Sequence, residues 1–203
     1  MYGPELDLYN EFDLIAGVDE VGRGCLFGDV YSACVVMPKF SSIEGVTDSK
    51  KLSAKKREVL YEKIISECLA FGIGVGTVKE IEELNIKKTA ILAMMRAVEG
   101  LTAKSGATFL PDLVLSDYEK LEIPNIPSMS ITHGDLISYN VACASIVAQV
   151  VRDRQCELWD REYPGYFIAK NKGYGTRFHR EAIVEKGVSP LHREKFLRKI
   201  IGR

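Results

Sequence analysis

The chain is 203 residues long, 46% hydrophobic and 27% charged. That is the balance of one folded domain, or one domain with a small appendage, and it excludes a disordered segment. Its 27 Lys and Arg against 28 Asp and Glu give a formal net charge of −1, which by itself argues against a polyanionic partner. The acidic N-terminus, broken by Pro4, is no secretory or transit peptide, and the most apolar helical stretch, Val141 to Val151, is too short for a bilayer, so a cytoplasmic location is expected. Five cysteines (Cys25, Cys34, Cys68, Cys143, Cys156) without CxxC spacing fit neither a disulfide framework nor a zinc site.

In chain order, the apolar run 13–19 predicts a buried strand. The β-branched stretch 29–37, closed by Pro38, predicts a second. Val59, Leu60, Ile64 and Ile65 share one face of a helix predicted over 53–68. A Gly-rich strand is predicted over 70–78, then a long helical region over 81–98 that kinks or splits near Asn85. Short strands at 112–116 and 126–131 precede a helix over 135–162, ended by Tyr163-Pro-Gly, and terminal helices are predicted at 177–185 and 193–200. Early strands followed by strands alternating with helices indicate an α/β layer with a mixed sheet. The partition expected is an α/β domain over 1–160 and a basic helical extension over 161–203 packed on it, which also counts as one domain.

The charge is unevenly placed. Residues 151–203 carry 13 Lys and Arg against 7 Asp and Glu, whereas residues 1–150 carry 14 against 21. A solvated helical face explains most such excesses. The stretch from Tyr163 to Arg180 is harder to explain that way: it has no acid, and Lys170, Lys172, Arg177 and Arg180 alternate with five aromatics. Basic groups meet phosphates, and aromatic faces stack on bases or sugars.

Asp19-Glu20 stands at the exit of the first apolar strand, where two adjacent acids cost desolvation and mutual repulsion unless cations neutralise them. Asp117 holds the corresponding place after Leu113–Leu115, and Asp135 precedes a helix. Alone, Asp135 is better explained as an N-cap and Asp117 as a turn residue. Together the four are a candidate site for hard divalent cations. Gly22-Arg23-Gly24 follows at once, pairing backbone freedom with a planar cation suited to phosphate, although an ordinary turn is the default for three residues. Thr47-Asp-Ser-Lys-Lys51 offers hydroxyl and ammonium donors before a helix, and reads equally as a polar turn with solvated lysines.

Ala16-Gly-Val-Asp-Glu-Val-Gly-Arg-Gly24, Asp48-Ser-Lys-Lys-Leu52, His133-Gly-Asp135 leading into Ala142-Cys-Ala-Ser-Ile146 and Arg152-Asp153, Lys172-Gly-Tyr-Gly-Thr176 with His179, and Ser189-Pro-Leu-His-Arg193 together resemble the ribonuclease HII family. The match runs from about Ile15 to Phe196 with every block in family order. The resemblance implies a ribonuclease H-like fold, a mixed sheet flanked by helices with a C-terminal helical extension. It also implies endonucleolytic cleavage of RNA in RNA/DNA duplexes, including incision 5′ to a single ribonucleotide in duplex DNA. On the same resemblance, Asp19, Glu20, Asp117 and Asp135 are the catalytic, metal-binding acids. Gly22, Arg23 and Gly24 contact the backbone and the 2′-hydroxyl, Tyr174 packs on the sugar at the RNA–DNA junction, and Ser49, Lys50, Lys170, Lys172 and Arg177 help hold phosphates. Two Mg²⁺ or Mn²⁺ ions would activate water and stabilise the leaving 3′-oxygen, giving 5′-phosphate and 3′-hydroxyl ends.

The sequence departs from the family pattern at Cys25-Leu-Phe-Gly-Asp29, where Asp29 adds negative charge beside the loop, at His133 and Gln149, where lysines are common, and at Tyr118-Glu119, which follows Asp117 in place of glycine. The expected partners are RNA/DNA hybrid duplexes and ribonucleotide-containing DNA, with no membrane, and the protein is expected to be monomeric. The rivals are a ribonuclease HIII, disfavoured by retention of Arg23 and by only about a dozen residues before the first strand, and a non-catalytic hybrid-binding protein, disfavoured by retention of all four acids.

Overall fold

Alternation of side chains along the strands sorts the core into two layers. In the computed structural model, which describes residues 3–201, the chain runs in order through α1 (Gly3–Leu8), β1 (Ile15–Val21), β2 (Val30–Val36), a 3₁₀ turn (Ser49–Lys51), α2 (Ala54–Glu67), β3 (Ala70–Gly76), α3 (Val78–Leu84), α4 (Ile86–Glu99) and β4 (Thr102–Ala103). It continues through β5 (Leu113–Asp117), β6 (Ser128–Ile131), α5 (Gly134–Ile137), α6 (Tyr139–Glu162), α7 (Ile168–Asn171), α8 (Arg177–Lys186) and α9 (Glu194–Ile201). The sheet order is β4-β3-β2-β1-β5-β6. β1 pairs antiparallel with β2 and parallel with β5, and β6 continues the parallel half.

Ala33 and Val35 of β2 join Leu60 and Ile64 of α2 and Ala144, Ile146 and Val147 of α6 on one face. Cys34 and Val36 turn to the other face, where Ala16 and Val18 of β1 meet Met94 and Ala97 of α4. α6 lies tight against β1: a Cβ on Gly17 would stand 2.1 Å from the Asn140 carbonyl carbon, so only glycine allows this approach. A third cluster joins Phe27 and Trp159 to Tyr166, Ile168, Ile183 and Leu197, seating the C-terminal helices on the end of α6. No helix among the described residues is long and apolar enough to cross a membrane.

The helical region over 81–98 is two helices broken at Asn85, whose φ of 80° no helix accommodates and whose side chain caps α4 through the Lys87 and Lys88 amides. The helix expected over 135–162 is interrupted at Ser138, which caps α6 through the Val141 amide. α1 was not legible. Its Glu5, 1% exposed, accepts the Tyr139 amide at 2.6 Å and the Asn140 side chain, placing a carboxylate at the N-terminus of α6. The acids of the N-terminal segment therefore include one that anchors a core helix.

Candidate active site

The parallel pairing of β1 with β5 brings three of the four acids to one end of the sheet. Val18 pairs with Ser116, so Asp19 and Asp117 follow side by side at the ends of adjacent strands. Strand alternation turns Asp19 toward α6, where the Ser145 hydroxyl hydrogen-bonds it, and turns Glu20 away from it toward Arg23. Asp117 Oδ1 accepts the Gly134 amide at 2.8 Å, which ties the first turn of α5, and with it Asp135, to the end of β5. Asp19 and Asp135 are both buried.

Burial, followed by the neighbouring Glu20 charge, pushes the Asp19 carboxyl well above the ordinary carboxylate range, and Asp117 adds to the push. Glu20 is raised by burial against the opposing pull of Arg23. Asp135 is raised by burial and then by Asp117, with Lys50, whose Nζ lies 3.9 Å away, opposing. The acids are therefore short of positive charge. One oxygen shows it directly: Glu20 Oε2 is buried with no hydrogen-bond partner.

Among the described residues no three His, Cys, Asp or Glu side chains form a ready-made metal cage. The reason is local: Glu20 Oε1 is held by Arg23 at 3.1 Å, Asp117 by the Gly134 amide, and Asp135 faces Lys50. The donor chemistry nevertheless suits hard divalent cations, since buried, mutually repelling carboxylate oxygens and an orphaned Glu20 Oε2 gain most from such an ion.

The glycine loop sits beside these acids. Gly22 has φ 93°, and a Cβ there would stand 2.4 Å from Arg152 Nε. Arg152 is fully buried and donates to the carbonyls of Lys172 (2.8 Å), Phe27 and Asp29. Arg193, also fully buried, donates to the carbonyls of Arg23, Cys25 and Gly28 at 2.8 to 3.0 Å. Two buried guanidiniums thus fix the loop through its backbone. In the sequence both arginines stand inside motifs with no role attached. The signal was there in Arg152 on the apolar face of α6 and in Arg193 ending Ser189-Pro-Leu-His-Arg.

Tyr174, 44% exposed, lies against the loop, with its ring 3.8 Å from the Cβ position of Gly24. Of the expected phosphate contacts, Lys50, Lys170 and Arg177 are exposed. Lys170 lies over the Phe178 ring, and Arg177 pairs with Glu181 at 2.7 Å. Lys172 is half-buried and reaches the Asp153 carbonyl. Ser49 departs from expectation. It is buried with its hydroxyl 2.9 Å from Ser145, because the 3₁₀ turn points it into the core, so it backs the Asp19 side of the site and does not face solvent. Asp29 is likewise engaged inside the protein. It accepts the Val78 amide at 2.8 Å at the start of α3 and faces the two buried arginines. Gln149 donates to Asp153, and His133 is exposed with φ 58°.

The family model for ribonuclease HII matches residues 16–199. The ribonuclease HII of Alkaliphilus metalliredigens is 50% identical over 198 residues, covering 97% of each chain. The crystal structure of the ribonuclease H2 from Pyrococcus horikoshii superposes with a TM-score of 0.75 at 25% identity, covering 94% of this chain and 98% of that one. Bst-RNase HIII, solved in complex with Mn²⁺, is 18% identical with a TM-score of 0.63, covering 94% of this chain and 71% of that one. The mixed six-stranded sheet flanked by helices is a ribonuclease H-like fold. The chain belongs to the ribonuclease HII family and is a ribonuclease H, a hydrolase of RNA/DNA hybrids.

Proposed function

We propose that this chain is a divalent-metal-dependent endoribonuclease that cuts the RNA strand of hybrids and incises 5′ to single ribonucleotides in duplex DNA. The observation that carries the reading is the set of charge-poor acids, Asp19, Glu20, Asp117 and Asp135, at one end of β1 and β5 beside a rigid glycine loop. Mg²⁺ or Mn²⁺ bound there would supply activated water and neutralise charge on the leaving 3′-oxygen. The chain's own residues do the rest. Asp19 and Asp117 offer oxygens from neighbouring strand ends, and Asp135 approaches from α5. The Gly22 and Gly24 backbone and Arg23 receive the phosphate and the 2′-hydroxyl. Tyr174, seated on Gly24, gives the sugar an apolar face on the same side as the loop. Lys50, Lys170, Lys172 and Arg177 supply positive charge along the backbone path, and the segment 161–203 acts as a nucleic-acid-binding extension of the catalytic region 1–160.

The test is incubation with duplex DNA carrying one ribonucleotide, with and without Mg²⁺ or Mn²⁺. The expected result is incision 5′ to the ribonucleotide only with metal, leaving a 3′-hydroxyl and a 5′-phosphate. Binding without incision under either ion would leave a hybrid-binding protein and overturn the catalytic reading.

A further inference from the structure

Behind the glycine loop runs a chain of four alternating charges. Lys87 Nζ, on the first turn of α4, lies 3.4 Å from Glu119 Oε2. Glu119 Oε1 accepts from Arg23 at 3.2 Å, and the other terminal nitrogen of Arg23 donates to Glu20 Oε1 at 3.1 Å. Glu119 is 5% exposed, so its charge depends on these two partners. Its position is fixed by backbone geometry. Tyr118 takes φ 60°, the Glu119 amide donates to the Asp117 carbonyl at 2.7 Å, and the Ser116 hydroxyl donates to the Glu119 carbonyl at 2.6 Å. This tight turn at the end of β5 aims the carboxylate back toward the loop. Arg23 is the member with a choice. It is about one-third exposed, and its planar fork is divided between an acid of the candidate metal site and an acid outside it.

We infer that Glu119 is a positioning residue that acts through Arg23. It holds the guanidinium in the glycine loop and draws it away from Glu20, so that Glu20 can turn to a divalent cation while Arg23 stays in place for phosphate. The inference rests on the functional reading of the acids given above. Arg23 is the counter-ion of Glu20 Oε1, and Glu20 Oε2 is unpartnered. A cation that takes Glu20 displaces one Arg23 contact and leaves the Glu119 contact intact. The freed N–H groups then face the loop. Without Glu119 the guanidinium would close fully on Glu20, opposing the metal and retreating from the substrate.

A double-mutant cycle over Glu119→Gln and Arg23→Ala reads this directly, because residues that act as a unit lose additivity. Two quantities are measured: Mn²⁺ affinity without substrate, by calorimetry, and KM and kcat on the single-ribonucleotide duplex at saturating Mn²⁺. Glu119→Gln should weaken Mn²⁺ binding about fivefold and raise KM by a similar factor, the scale of one partly buried ion pair, with kcat within about twofold. Arg23→Ala should strengthen Mn²⁺ binding severalfold while raising KM. In the Arg23→Ala background, Glu119→Gln should change neither quantity, and Glu119→Asp alone should restore some of the loss. Equal effects of Glu119→Gln in both backgrounds would show that Glu119 acts by its own charge and would overturn the inference. So would unchanged Mn²⁺ affinity and KM in the single variant. Melting curves identify a variant that fails to fold, in which case the Glu119→Ala and Arg23→Gln pair supplies the same cycle. The unmodified chain tests the underlying reading separately, since absence of Mn²⁺ binding there would remove the metal site itself.

Discussion

Among single residues, the two buried histidines show how geometry fixes a protonation state. His179 Nδ1 lies 2.9 Å from the Tyr174 carbonyl, which only accepts, so that nitrogen carries the proton. His192 Nδ1 lies 2.9 Å from the Ser189 amide, which only donates, so His192 is protonated at Nε2 and donates to His179 Nε2 at 3.3 Å. Both rings are neutral, and together they hold the backbone of Tyr174. Burial, then the neighbouring His179, pulls His192 down to about 4. A histidine whose folded pKa lies below its unfolded value of about 6.5 contributes stability that is present above pH 6.5 and lost as pH falls toward 4. We predict a fall in Tm over that window, with His192→Gln starting lower and showing a flatter profile. Equal slopes in both proteins would contradict the assignment. The sequence placed both histidines in motifs and required neither as a ligand. Their mutual contact joins α8 to the segment before α9 across 13 residues, which spacing alone does not reveal.

At the scale of elements, the sequence was most legible where a local rule decides the outcome. Asn85 breaks α3 from α4 because its backbone is left-handed and its side chain caps the next helix. The strands came from alternation and β-branching, and their ends moved by one to two residues. β4, with two residues, and α7, with four, carry too little pattern to be seen. Asp19-Glu20 was readable as a pair of acids, but not the separate partners that strand alternation gives them: Asp19 turns to Ser145 and Glu20 to Arg23, while their charges stay close enough to repel. The glycine loop is an element whose requirement can be tested. Replacing Gly22 by Ala puts a Cβ against the Arg152 guanidinium at a φ of 93°. We expect a loss of at least about 2 kcal/mol in unfolding free energy, read by urea denaturation, together with loss of incision. Wild-type stability in Gly22→Ala would mean that the loop is not held as rigidly as the arginine contacts indicate.

For the whole molecule, the near-zero net charge conceals a division of labour. Acids are in excess over residues 1–150 and bases over 151–203, and Tyr174 of the basic stretch lies against Gly24 of the glycine loop. Family and fold were legible because short motifs occur in a fixed order along nearly the whole chain. The supports were not: Arg152, Arg193, Glu119 and Glu5 act through contacts 20 to 170 residues distant, set only by the fold. The acids also carry a cost. Buried carboxylates that repel one another destabilise the folded chain at neutral pH, and a cation bound as proposed would offset that cost. Melting with and without Mn²⁺, for the unmodified chain and for Asp19→Asn, therefore tests the central claim most directly. We predict that Mn²⁺ raises the Tm of the unmodified chain, whereas Asp19→Asn melts higher without metal and gains little from it. An Asp19→Asn protein that melts lower without metal, or that responds to Mn²⁺ as the unmodified chain does, would contradict a cation-binding cluster of buried acids.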